Sequence, residues 1–202
     1  GKCQDTLPVD TILCVTGRTS NLSGLNLDNA DVEVNLGTII VDACNRTTKA
    51  NIFAVGDCTN WPHWTPVAIA GGRAFADTEF GNKRRTVNYD YIPSAVSDLP
   101  EAATVGLTEA TAREKFGESV RCYRKKFQTL FNSMVEPDEK TLIKLVVDSN
   151  SDRVLGVHMV GEHASEVIQV MALAIHAGVT KEDFDTTIGI HPTVAEEFFS
   201  LR

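Results

Sequence analysis

Leu142-Ile143-Lys144-Leu145-Val146-Val147-Asp148 runs through Ser149-Asn150-Ser151-Asp152 into Arg153-Val154-Leu155-Gly156-Val157-His158-Met159-Val160. Two runs of strand length, rich in β-branched residues and joined by four turn formers, specify a β-hairpin. Working outward, Ala103-Thr104-Val105-Gly106-Leu107 and Val120 to Phe127 read as further strands, with a helix from Thr108 to Phe116 stopped by Gly117 between them. On the other side, Ala164 to Ala177 reads as a helix closed by Gly178. Its Val167, Ile168, Val170, Met171, Leu173, Ala174 and Ile175 cover more than one face. Core packing explains such a helix by default, and a subunit interface is the functional alternative. The predicted class is α+β, an antiparallel sheet with helices.

The chain has 202 residues, 43% of them hydrophobic and 23% charged, enough for a sizeable core and more than one domain. Its net charge of -8 argues against nucleic acid and anionic membranes as partners. No apolar run reaches the roughly 20 residues of a membrane span. The start, Gly1-Lys2-Cys3-Gln4-Asp5, reads as neither a signal peptide nor an initiator sequence. Cys3, Cys14, Cys44, Cys58 and Cys122 form no close pair and no metal-ligand spacing, so no metal site is expected. An odd, scattered set suits reduced thiols in a cytoplasmic compartment.

Upstream of the hairpin region, Lys83-Arg84-Arg85 reads as a solvated linker. Before it, Thr11 to Val15 is expected to be a buried strand entering a Thr16-Gly17-Arg18 turn, and Asp31–Asn35 pairs with Thr38–Asp42 across Gly37. Asn51-Ile52-Phe53-Ala54-Val55-Gly56-Asp57 reads as an apolar strand ending in Gly-Asp, where a glycine admits a ligand and a carboxylate can accept sugar-like hydroxyls. Thr65-Pro66 opens a helix, with Thr65 as the cap residue and Pro66 at the first helical position. Such an N-terminus favours an anion. Gly71-Gly72 inside that helix implies close packing of a backbone or a ligand. Arg73 either pairs with Asp77 at i+4 or serves a site. No Gly-x-Gly-x-x-Gly phosphate cradle occurs anywhere.

The chain closes with Ile190-His191-Pro192-Thr193-Val194-Ala195-Glu196-Glu197-Phe198-Phe199-Ser200-Leu201-Arg202. Histidine titrates near neutrality, Pro192 restricts the backbone of His191, and Glu196 or Glu197 can reach back to the ring. Thr193 to Glu196 also forms the capping-box pattern of a helix start. The cap explains Thr193 and one glutamate. It leaves His191-Pro192 and the second glutamate without a role.

This ending, together with the Gly-Asp segment and the Thr-Pro helix, resembles the flavin-dependent pyridine nucleotide-disulfide oxidoreductases, in particular the branch that reduces glutathione disulfide. The resemblance covers essentially the whole chain. It implies the end of an NADPH-binding domain at 1–20, a central FAD-contacting segment at 21–88, and an interface (dimerisation) domain at 89–202 that forms a homodimer. It implies His191 as proton donor to a departing thiolate in the opposite subunit, with Glu196 orienting the ring. Asp57, beside Gly56, would bind the ribityl chain of FAD, and Thr65 and Pro66 would face the flavin pyrimidine edge. Gly17 and Arg18 would lie at the exit of the nicotinamide domain, while Arg73, Leu130, Thr193 and Glu197 would meet glutathione disulfide. The ending reads as a natural C-terminus.

Departures are Ser20 for the usual proline, which loosens the turn, and Ser97-Asp98-Leu99 for an aromatic. Leu130 stands for methionine, and Gly189 stands where dihydrolipoamide dehydrogenases have histidine. The family's pair of cysteines separated by four residues is missing, so the chain alone is expected to be inactive. A related disulfide substrate and a non-catalytic dimerisation module are the alternatives. His63, His158, His163 and His176 are read as structural or surface residues.

Overall fold

The computed structural model describes residues 6–135 and 139–202, so Cys3 and the rest of the opening pentapeptide lie outside it. The chain divides into two compact units between Val87 and Asn88. In the first, β1 (Val34–Asn35) and β2 (Thr38–Ile39) pair antiparallel across Leu36 and Gly37, both at positive φ. The hairpin is shorter than the sequence suggests. Its small core holds Val32, Ile39 and Ala54, with Leu22, Leu27 and Ile52 against it.

Two expected strands of this unit are absent. Thr11 to Val15 has no strand hydrogen bonding, and Ile12 and Leu13 are 82% and 84% exposed. A buried strand needs neighbours for its amides and carbonyls, and no described residue supplies them. The Asn51–Asp57 run likewise has only a single bridge, Phe53 to Arg46, before a 3-10 turn at Gly56–Cys58.

Helix α1 (Thr65–Glu79) follows, but Trp64 occupies the cap position, Thr65 is the first helical residue, and no side chain caps the start. Proline still lies in the first turn, where its missing amide proton does no harm. Gly71 is buried and its carbonyl accepts from Asn45 Nδ2 at 3.2 Å, whereas a Cβ on Gly72 would meet open space. The close-packing expectation therefore fails at Gly72. Lys83, Arg84 and Arg85 are exposed and irregular.

The second unit is an antiparallel sheet of five strands: β3 (Ser94–Val96), β4 (Ala102–Gly106), β5 (Val120–Phe127), β6 (Thr141–Asp148) and β7 (Val154–Val160). Their order is β3-β4-β7-β6-β5. The β6–β7 hairpin is central. Its turn is held by Asp148, whose carboxylate accepts from the Asn150 amide at 3.2 Å and from the Ser151 hydroxyl at 2.5 Å.

On one face, Ile143, Leu145, Val147, Val157 and Met159 meet α4 (Ala164–Ala177). On the other, Val146 and Leu155 meet Ala112 of α2 (Glu109–Phe116). Burial on both faces explains why β6 is apolar almost throughout. Thr108 caps α2, accepting from the Thr111 amide at 3.2 Å. Gly106 and Gly156 face each other across the β4–β7 ladder, and a Cβ on Gly156 would stand 2.1 Å from the Leu107 carbonyl oxygen.

Helix α4 buries Ala164, Ile168, Met171 and Ile175, a single stripe at helical spacing, and ends at Gly178 in the left-handed conformation. Val170 and Leu173 are 68% and 72% exposed, so among the described residues only one apolar face is covered. A short helix (Lys181–Thr186) with a full capping box at Thr180 leads toward the C-terminus.

Candidate functional site

In the first unit, the residues expected to serve cofactors gather around Asp57. Arg18 Nη2 lies 2.9 Å from Asp57 Oδ2 and donates to the His63 carbonyl at 2.9 Å. Ser20 donates to the Asp57 carbonyl at 2.6 Å. The serine thus ties the Arg18 segment down, a hydrogen bond proline cannot make, and the turn is not looser at this point. Gly56 takes φ 76°, and a Cβ there would press on the Ala68 Cβ at 3.2 Å. The start of α1 has neither a side-chain cap nor an acidic residue in its first turn, so its amides keep their partial positive charge. Gly17 has φ 127° and open space around it.

Arg73 is exposed on α1, and its expected partner Asp77 pairs instead with Arg85 at 3.0 Å. The i+4 pairing is therefore corrected. Arg85 reaches the carboxylate because Thr78 fixes its backbone, accepting from the Arg85 amide at 2.9 Å.

In the second unit, Leu130, His191, Thr193, Glu196 and Glu197 line one cavity of about 700 Å3. His191 Nδ1 is 3.0 and 3.2 Å from the two carboxylate oxygens of Glu196. The carboxylate can only accept from the ring, so Nδ1 carries the proton there and Nε2 remains for other chemistry. The His191 side chain is 84% exposed and that of Glu196 24%. Glu196 is the glutamate that reaches back.

The capping box forms as well. Thr193 N donates to Glu196 Oε1 at 3.0 Å, and Glu196 N donates to Thr193 Oγ1 at 3.2 Å. One carboxylate therefore serves the cap and the ring together. The Thr193 amide, more than the histidine, holds the Glu196 carboxyl below the usual carboxylate range.

The helix so capped is a 3-10 segment at Ala195–Ser200, with Val194 at its cap position, not the α-helix expected after Thr193. Its tighter period places Phe198 and Leu201 three residues apart on one side, and both are buried in the sheet core. His191 and Pro192 are joined by a cis peptide bond. Gly189 makes the tight return possible: a Cβ there would stand 2.7 Å from the Glu196 Cβ. Any side chain at that position requires a shift of this segment.

Leu130 opens the short helix α3 (Leu130–Val135). The overlooked signal is Thr129, whose hydroxyl accepts from the Asn132 amide at 3.2 Å. Phe131 and Met134 then join Leu130 on the cavity wall, and all three are exposed.

Sequence reasoning did not single out Glu162 and read His163 as a structural or surface residue. They line the cavity, with His163 in the left-handed conformation at the start of α4 and its Nε2 3.5 Å from Glu162 Oε1. His158, read as structural, lies in the sheet with Nδ1 2.5 Å from Thr104 Oγ1 and Nε2 3.2 Å from the Leu107 carbonyl. Burial pushes its pKa down. His176 is exposed. Among the described residues no cluster of histidine, cysteine or carboxylate side chains could hold a metal. No helix among them is long and apolar enough to cross a membrane.

The profile of the pyridine nucleotide-disulphide oxidoreductase dimerisation domain matches residues 92–202, and that of the pyridine nucleotide-disulphide oxidoreductases matches residues 1–72. A glutathione reductase from Nostoc sp. is 47% identical over all of this chain and 47% of its own length. One from Schizosaccharomyces pombe is 42% identical over 97% of this chain and 43% of its own. The chain thus spans about half the length of the curated relatives it matches. The solved structure of the HOCl-induced flavoprotein disulfide reductase RclA from Escherichia coli is similar with a TM-score of 0.82 and 26% identity, covering 93% of this chain and 43% of that one.

Proposed function

The chain belongs to the pyridine nucleotide-disulphide oxidoreductase family, and from that membership we propose that it provides the acid–base wall of an NADPH- and FAD-dependent glutathione disulfide reductase. The observation that carries this reading is the hydrogen bond from His191 to Glu196 on the wall of a cavity of about 700 Å3. A carboxylate on Nδ1 fixes the orientation of the ring, so that a protonated Nε2 can hand its proton to a thiolate leaving a disulfide. Glu196 cannot swing away without breaking the cap at Thr193. Leu130, Thr193 and Glu197 contribute the rest of the substrate wall. Arg73, exposed on α1 of the first unit, is by itself a cation suited to a glutathione carboxylate.

Asp57, Gly56 and the uncapped start of α1 at Thr65 and Pro66 suit the ribityl and pyrimidine parts of FAD. When bound, FAD would pass electrons from the nicotinamide toward a reducible disulfide. Asp57 would accept a ribityl hydroxyl beside the Arg18 guanidinium. Gly17 and Arg18 mark the exit of the nicotinamide region, 1–20, and do not by themselves form a phosphate cradle. The uncovered Val170 and Leu173 support a homodimer through 89–202, in which His191 serves the opposite subunit. Unpaired Cys14, Cys44, Cys58 and Cys122 support a reducing, cytoplasmic setting.

The test is to complete the chain with the N-terminal portion of a family member and follow the two half-reactions. His191→Ala should slow disulfide reduction by about 100-fold or more while flavin reduction by NADPH persists. Equal loss in both half-reactions would refute the assignment. The 202-residue chain alone should show no turnover, because its five cysteines include no Cys-x-x-x-x-Cys.

A further inference from the structure

Among the described residues three carboxylates line the cavity, and each has a basic partner. Glu196 holds His191, Glu162 lies 3.5 Å from His163, and Glu197 forms an ion pair with Lys125. Lys125 does not itself line the cavity, and it arrives from a different element, β5. Strand alternation puts it on the same face as Phe127, which does line the cavity, and its ammonium lies 5.9 Å from the centre of that ring. It is also 3.5 Å from the Ser200 hydroxyl, which in turn donates to Glu197 Oε2 at 3.1 Å. Removing Lys125 would leave Glu197 held by a neutral hydroxyl alone, with a full negative charge turned toward the cavity.

We infer that Lys125 is a positioning residue that sets the charge specificity of this wall, by pinning and neutralising Glu197 so that a disulfide bearing carboxylates is not repelled. The inference rests on reading the cavity as a disulfide-binding wall. The ion pair is partly exposed, with side chains 41% and 25% accessible, so it acts through the local field more than through stability. Among the described residues, the other charges facing the site are those of Glu162, His163, His191 and Glu196.

Two small disulfides of opposite charge separate the possibilities: cystamine, a dication, and dithiodipropionate, a dianion. Each is titrated into the isotope-labelled 202-residue chain at low salt, with the backbone resonances of Thr193 and Glu197 followed by NMR. Lys125→Met should raise the preference for cystamine over dithiodipropionate by about fivefold or more, since one charge moves the two affinities in opposite directions. Glu197→Gln should shift the preference the other way, the double variant should return near the parent value, and Lys125→Arg should match the parent. A purely structural lysine would weaken both probes alike. If the parent binds the probes and Lys125→Met leaves their ratio unchanged, the inference is overturned while the cavity reading stands. If the parent engages neither probe, the disulfide-wall reading fails and takes the inference with it.

Discussion

Truncating Phe198 to alanine tests how the candidate site is attached to the sheet. Phe198 is 0% exposed and lies between the two site glutamates and the buried Leu201. Roughly 150 Å2 of buried ring at about 25 cal/mol per Å2 corresponds to about 4 kcal/mol. That lies inside the about 3–5 kcal/mol expected for a phenylalanine removed from a core. The residues after Gly189 add no strand to the sheet, so the loss should first appear as undocking of this segment.

The assay is urea unfolding followed by far-UV circular dichroism, together with amide exchange at Glu196 and at Val157 in the sheet. Exchange at Glu196, whose amide is held only by the Thr193 hydroxyl, should accelerate far more than exchange at Val157. Trp61 and Trp64 both belong to the first unit, so tryptophan fluorescence serves as an internal control. A loss below about 1 kcal/mol with unchanged exchange at Glu196 would refute the anchoring argument.

Three further outcomes follow from the second unit. Because burial lowers the pKa of His158, its contribution is present above the ordinary histidine value of about 6.5 and lost as pH falls below it. Urea midpoints between neutral pH and pH ~5 should show this slope, and His158→Gln should flatten it. Gly156→Ala should cost about 1–3 kcal/mol or more in the same assay, because its Cβ would meet a backbone carbonyl 2.1 Å away. Hydrogen bonds from Lys144 first, then Arg113, bring the Glu109 carboxyl down to about 2. Its stabilisation is therefore present above the usual carboxylate range and lost as pH falls toward that value. With the Glu109 side chain 31% exposed, solvent screening reduces the expected loss for Glu109→Gln to about 1 kcal/mol, read at neutral pH by urea midpoint.

The hairpin of β6 and β7, helix α2 with its Gly117 stop, and α4 with its glycine stop were legible in order and nearly in extent. Each is specified by periodicity and by terminal residues acting on their own neighbours. The runs at Thr11–Val15 and Asn51–Asp57 looked as strand-like, yet no described strand pairs along them. A strand's hydrogen bonds belong to another segment, and composition does not say whether that segment is at hand.

At the site, the sequence placed His191, Pro192 and two glutamates together; their spacing left either glutamate free to take the ring, and the family resemblance named Glu196. The sequence also set the cap against the catalytic reading. The folded chain resolves both, because the Glu196 carboxylate is close enough to the Thr193 amide and to Nδ1 to serve each. Lys125, Glu162 and His163 carried no legible signal, being 72, 35 and 34 residues from Glu197 in the chain. By itself, then, the sequence determined the antiparallel α+β class, the acidic surface and the chemical groups at the C-terminus, all of which rest on local spacing and side-chain type. Spacing left open which carboxylate reaches the histidine and which bases neutralise the others; the geometry that joins them was decided by tertiary structure. Coulomb and hydrogen-bond energies depend on distance through space, and only packing of Phe198 and Leu201 against the sheet brings those groups together.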